Sequence, residues 1–288
     1  GCPMATITWL DVNTDWNNTA NWSTGAVPTT GDEVIIGSGS SDISTNVDQN
    51  AVTLTALRVG EDYNGKIGTS SAPLKINATE FSFAGQGSAN YIRGEFDTVT
   101  VLNGAATSTM LDIFGDATSG TISSNGITTL RVMGGRGTIN IQDGTVTTLE
   151  VVGASNAKVV LASAVDNFAN LTMDGGQVET STNIGTKAII LGGSLTVAGS
   201  ATAAEVECYD GGTVKYNSSG TLTTLDQFGG TFNALDNTSA SFAITNSTIY
   251  EGATIRLDNA LQNVVLSNPM LIQGGDIRFP PGSQVTVG

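Results

Sequence analysis

The segments GITTLRVMGGRGTINI (126–141) and VECYDGGTVKY (206–216) decide the fold. Each has an alternating apolar run, a glycine or glycine pair, and a second alternating run. Alternation puts every second side chain on one face of a strand, and the β-branched Val, Ile and Thr suit that pleated surface. A glycine at the corner allows the positive φ that a sharp turn demands. The unit returns as TVTTLEVVGASNAKVVL (145–161), NLTMDGGQVET (170–180), AIILGGSLTV (188–197) and TLTTLDQFGGTFNAL (221–235), with weaker copies on either side.

Successive units begin their glycine corner at 94, 115, 134, 153, 175, 192, 211, 229, 252 and 274, so the period drifts between 17 and 23 residues. That is too short for propeller blades or paired-helix repeats and suits a solenoid coil. The expected fold is all-β, a single right-handed parallel β-helix of about ten coils, its hand following the usual chirality of parallel crossovers. Ten layers at strand spacing would measure about 50 Å. Val132, Val151, Leu171, Ile190, Val206 and Leu225 are expected to form one internal ladder. An antiparallel sandwich is the rival fold.

The ends of a solenoid need closing, because free strand edges pair with other molecules. Residues 1–50 hold all three tryptophans and read as an N-terminal tag remnant and capping segment. Residues 51–279 read as the β-helix, and 280–288 as a C-terminal cap or tail. Phe279-Pro280-Pro281-Gly282 reads as the stop, since proline gives no ladder N–H. Gly1-Cys2-Pro3 reads as the remnant and Met4 as the natural start, which leaves Cys208 as the one native cysteine and implies no cleaved signal. Cys208 reads as a small buried hydrophobe.

Composition narrows the chemistry. A net charge of −15, with 11 basic residues and no basic cluster, argues against nucleic acid and against an anionic membrane surface. No apolar run reaches transmembrane length. The absence of histidine removes Ser-His-Asp and Cys-His nucleophile systems and histidine-based zinc sites. Neither a D-x-[DN]-x-[DN]-G loop nor the calcium nonapeptide occurs, so no metal, cofactor or catalytic residue is assigned. The carboxylates that adjacent coils could bring together are Asp112 and Asp116, Asp174, Glu205 and Glu207, and Asp210 and Asp226. Those at corners read first as turn residues. The DD, GHG and RIK signatures of polygalacturonases and the Asp/Arg/Lys set of pectate lyases are lacking.

Residues 6–36 read TITWLDVNTDWNNTANWSTGAVPTTGDEVII, with Trp9, Trp16 and Trp22 followed by Gly25, Pro28, Asp32 and the strand Val34-Ile35-Ile36. Over these 30 or so residues the chain resembles the start of β-helical bacteriophage virion proteins, and also that of large bacterial surface proteins of the autotransporter kind. The tryptophans read as a hydrophobic plug over the first coil, with sugar stacking as the functional alternative. The first resemblance implies a structural protein that decorates a capsid or belongs to a tail or fibre. Such a protein assembles in the host cytoplasm, docks on other virion proteins and forms a homotrimer. Docking is expected around Trp9, Trp16, Trp22, Pro28 and Asp32, without catalysis. The alternatives are an extracellular adhesin at the cell surface and a polysaccharide lyase or hydrolase. Carbohydrate binding has no residue-level support in the sequence.

Overall fold

A computed structural model describes residues 4–102, 109–114, 126–134, 137–153, 156–259, 263–279 and 285–287. Among them are 24 strands, one 3-10 turn at Thr19–Asn21 and no α-helix. The strands stack in parallel as a β-solenoid of about 11 turns, which is the expected parallel β-helix. The ladder starts well before Gly94, with the strands Thr6–Thr8, Glu33–Gly39, Asp48–Tyr63 and Leu74–Phe83. The chain divides into two compact units, residues 1–147 with 155–159 and 164–166, and residues 148–154, 160–163 and 167–288.

In the first unit, parallel register aligns Ile7, Val34, Leu57, Phe81, Val99 and Leu130. All six are buried, at 3% exposure or less. Burying such a side chain contributes about 1.5–3 kcal/mol, so this ladder is a main source of the unit's stability. Val99 stands opposite Leu130, which makes that coil 31 residues long and exceeds the expected period. The corner glycine read at 115 and Asp116 lie outside the described residues.

The second unit carries two inward ladders on one sheet. Leu149, Leu171, Ala188, Val206, Leu225 and Ser247 form one, and Val151, Met173, Ile190, Cys208, Gln227, Ile249 and Ile272 form the other. The single ladder expected from sequence is therefore corrected. Val132, Val151, Leu171, Ile190, Val206 and Leu225 are all buried, but Leu171, Val206 and Leu225 share one ladder, and Val151 and Ile190 the next. Val132 stands opposite Val101 in the first unit. The cause is the corner itself, where the number of residues between ladder and glycine changes; a register shift follows Met173.

A second sheet of this unit aligns Val178, Leu195, Val214, Phe232, Ile255 and Ile277. Two corner glycines show why the pairs recur. Gly193 has φ +78°, and a Cβ there would lie 2.5 Å from the backbone of Gly175; Gly230 has φ +61°, and a Cβ would lie 2.2 Å from the Gly212 oxygen. Glycine corners pack directly on glycine corners, which leaves no room for side chains. Cys208 is buried, as expected, and burial pushes its thiol up to about 11.

The expected proline stop, Pro280-Pro281-Gly282, lies outside the described residues, but pairing does not end there. The strand Val285–Val287 pairs in parallel with Asn263–Leu266, so the ladder resumes after the prolines.

Candidate functional site: a carboxylate and aromatic face

The tryptophans form a closed cluster. Trp9, Trp16 and Trp22 are 2%, 0% and 1% exposed, and Trp22 meets the other two edge-on at 5.1 and 4.8 Å. The Trp22 indole N–H donates to the Trp16 carbonyl at 2.7 Å, and the Trp9 indole to Asp11 at 3.3 Å. Burial works against the Asp11 carboxylate, but the Ser40 and Ser41 amides and the Trp9 indole hold its pKa below the ordinary value. Pro28 is buried. Asp32 accepts from the Thr29 amide at 2.8 Å, and from the Ala5 amide at 3.4 Å, which ties the first strand to the turn. These five side chains are occupied in packing and in turn bonds. None of the indoles presents a free face to a sugar.

The carboxylates named from sequence separate into three kinds. Asp174 and Asp210 are exposed at corners. Asp112 is buried and accepts from Asn140 at 2.7 Å and from Gln142 at 3.2 Å, as a structural hydrogen-bond acceptor. Glu205, Glu207 and Asp226 come together on the outer side of the second unit. Alternation in the strand Ala203–Cys208 turns both glutamates outward, and parallel register sets Glu207 opposite Asp226 in Leu222–Gln227. Their nearest oxygens lie within 4.8 Å of one another.

Lys187 stands among them. Its ammonium pairs with Glu205 at 3.0 Å and, more closely, with Glu207. Both hydrogen bonds raise the Lys187 pKa above its ordinary value, so the cation is permanent. One ammonium against three carboxylates leaves a deficit of positive charge. Asp226 registers it: burial first, then repulsion from Glu205 and Glu207, raise its pKa. A hard cation would suit three such oxygens, but Lys187 already bridges the two glutamates.

Beside the carboxylates runs a row of half-exposed rings. Tyr209, Phe228 and Tyr250 stack at 4.9 and 4.7 Å with interplanar angles of 19° and 21°. This separation is the strand spacing itself, about 4.7–4.9 Å, so each coil adds one ring to the column. Stacking contributes about 0.5–1.5 kcal/mol per pair beyond area burial. The Tyr209 hydroxyl donates to Glu207 at 3.2 Å, joining rings to acids. Because Phe228 has a ring on each face, the column shows edges outward.

Sequence reading missed this column and Lys187. A signal was present: an aromatic residue stands one or two places before the corner glycine in three successive units, at Tyr209, Phe228 and Tyr250. A cleft of about 210 Å³ in the first unit is lined by Thr53, Asn77, Glu95 and Thr128 among others. Comparison with protein-family models, curated proteins and solved structures finds no match for this chain.

Proposed function

We propose that this chain is a structural β-solenoid of a bacteriophage particle, acting by docking on another virion protein and not by catalysis. The observation that carries docking is the ring column Tyr209-Phe228-Tyr250, half-exposed beside Glu205, Glu207 and Asp226. Partly solvated aromatic rings beside under-compensated carboxylates make a surface that a partner with apolar and basic side chains would complete. The assignment to a virion rests on the resemblance of residues 6–36. The test is mass spectrometry and cryo-electron microscopy of purified particles that encode the chain. The expected result is a fixed copy number per particle, with density for a solenoid. Absence from the particle, with recovery in a secreted or cell-surface fraction, would favour the adhesin reading instead.

The carboxylate trio favours a second reading, glycoside hydrolysis. Asp226 holds its proton above the ordinary range, as a general acid must, and Glu207 lies directly opposite. Against it, Lys187 and the Tyr209 hydroxyl both bind Glu207. A reducing-sugar assay on polysaccharides decides this point: turnover abolished by Asp226→Asn would establish the hydrolase.

A further inference from the structure

The strand Asp48–Tyr63 ends in the corner Asn64-Gly65, and the chain re-enters the ladder at Ile67, which bridges Ile43 on one side and Asn90 on the other. The corner is pinned on either side of Gly65. Asn64 N–H donates to the Gly39 carbonyl at 2.8 Å, and Lys66 N–H donates to the Asp42 carboxylate at 2.8 Å. The Gly65 N–H between them has no hydrogen-bond partner among the described residues. A side chain has no room here, because a Cβ on Gly65 would lie 2.4 Å from the Ser41 carbonyl oxygen. That oxygen is itself held by the Tyr63 hydroxyl, which donates to it at 2.6 Å. Asn64 is exposed, and among the described residues its side chain makes one bond, from Nδ2 to the Asp62 carbonyl at 3.3 Å.

We propose that Asn64 is a site of spontaneous deamidation, through which the folded chain undergoes a one-way change of charge and backbone length in its first unit. The Gly65 amide nitrogen loses its proton to solvent base and attacks Cγ of Asn64. The N–Cγ bond forms, the Cγ–Nδ2 bond breaks, and the side-chain nitrogen leaves as ammonia. Water then opens the five-membered imide at one of its two carbonyl carbons. Opening at Cγ yields aspartate in the ordinary backbone. Opening at the Asn64 carbonyl carbon yields isoaspartate, whose backbone runs through Cβ and Cγ. Either route consumes one water and leaves a carboxylate where an amide stood, close to exposed Glu61 and Asp62. The unbonded Gly65 N–H gives up its proton without breaking a backbone bond, and glycine sets no side chain beside the attacking nitrogen. By contrast, Asn13 and Asn46 precede the β-branched Thr14 and Val47, and both side chains are tied to Asp15. The other Asn-Gly pairs, at 103–104 and 125–126, include residues outside the described ones.

The test is incubation of the folded full chain at neutral and at mildly alkaline pH, with circular dichroism to confirm folding. Peptide mapping with electron-transfer fragmentation then distinguishes isoaspartate from aspartate. Both products are expected to accumulate at Asn64, faster at the higher pH because the attacking nitrogen must lose its proton. Conversion there should run roughly tenfold faster than at Asn13 and Asn46, since glycine alone leaves that nitrogen uncrowded. Asn64→Gln keeps the amide but requires a six-membered ring, and should stay unconverted over the same time. A folded chain in which Asn64 stays intact, while the urea-denatured chain converts there, overturns the proposal. So does conversion at Asn64 no faster than at Asn13 and Asn46.

Discussion

The region around the first strand, Thr6–Thr8, and the strand Leu271–Gln273 are covered to different degrees, and the difference shows what burying an apolar side chain on a ladder requires. At the first, a 3-10 turn at Thr19–Asn21 brings the chain back across its own edge. There Trp9, Trp16 and Trp22 are buried against one another, and Asn21 binds the loop from inside. Its amide oxygen accepts from the Val12 and Asn13 amides at 2.8 and 3.0 Å, while its amide nitrogen donates to Asn13 at 2.8 Å and to the Asp15 carbonyl at 2.7 Å. At Leu271–Gln273, Leu271 and Ile272 are 59% and 63% exposed, although Ile272 stands in register with fully buried Ile249.

The sharpest way to break the contrast is to remove a buried tryptophan. Trp16→Ala should cost about 3–5 kcal/mol in denaturant unfolding, as for large aromatic truncations in a packed core. Ile249→Ala should cost about 2–5 kcal/mol, whereas Ile272→Ala, one rung further along the same ladder, should stay within about 0.5 kcal/mol. Equal losses at Ile249 and Ile272 would mean that Ile272 is buried in solution. Asn21→Ala should cost about 1–3 kcal/mol for each buried group it leaves unpaired.

Smaller effects separate the two units by pH. The folded pKa of Asp11 is lowered, so its contribution is present above the unfolded value of 3.8 and is lost as pH falls through the folded one. Asp11→Asn should therefore lower the melting temperature at pH 7 and lose that effect in acid, below pH 3.8. Asp226 has the opposite sign: its folded pKa is raised, so its contribution is full below 3.8 and is lost as pH rises through the folded pKa. Asp226→Asn should raise the melting temperature at pH 7, with the gain vanishing as wild-type Asp226 becomes protonated. The smallest change is Ser247→Ala. The Ser247 hydroxyl is buried without a partner, and its removal should be neutral or stabilise by up to about 1 kcal/mol.

The solenoid was legible because it rests on local rules. Alternating Val, Ile and Thr make strands, and corner glycines at 175, 193, 211 and 230 take positive φ. The register was not legible, since it depends on how many residues each corner absorbs. Aligning units on their glycines placed Leu171 and Ile190 in one ladder when they belong to neighbouring ones. The same limit hid the candidate site. Glu205, Glu207 and Asp226 were on the sequence list, but their meeting requires Glu207 to face Asp226 and Lys187 to reach across from the coil before. The burial of the tryptophans was legible because three large apolar rings in a short segment need a core to join.

Amide hydrogen exchange measured on peptides from both regions tests the central contrast most directly. Peptides covering residues 5–10 and 20–24 should be protected. Those covering 271–279 should exchange rapidly. Strong protection of 271–279, or rapid exchange of the tryptophan segment, would contradict the difference in burial between Trp9, Trp16 and Trp22 on one side and Leu271 and Ile272 on the other.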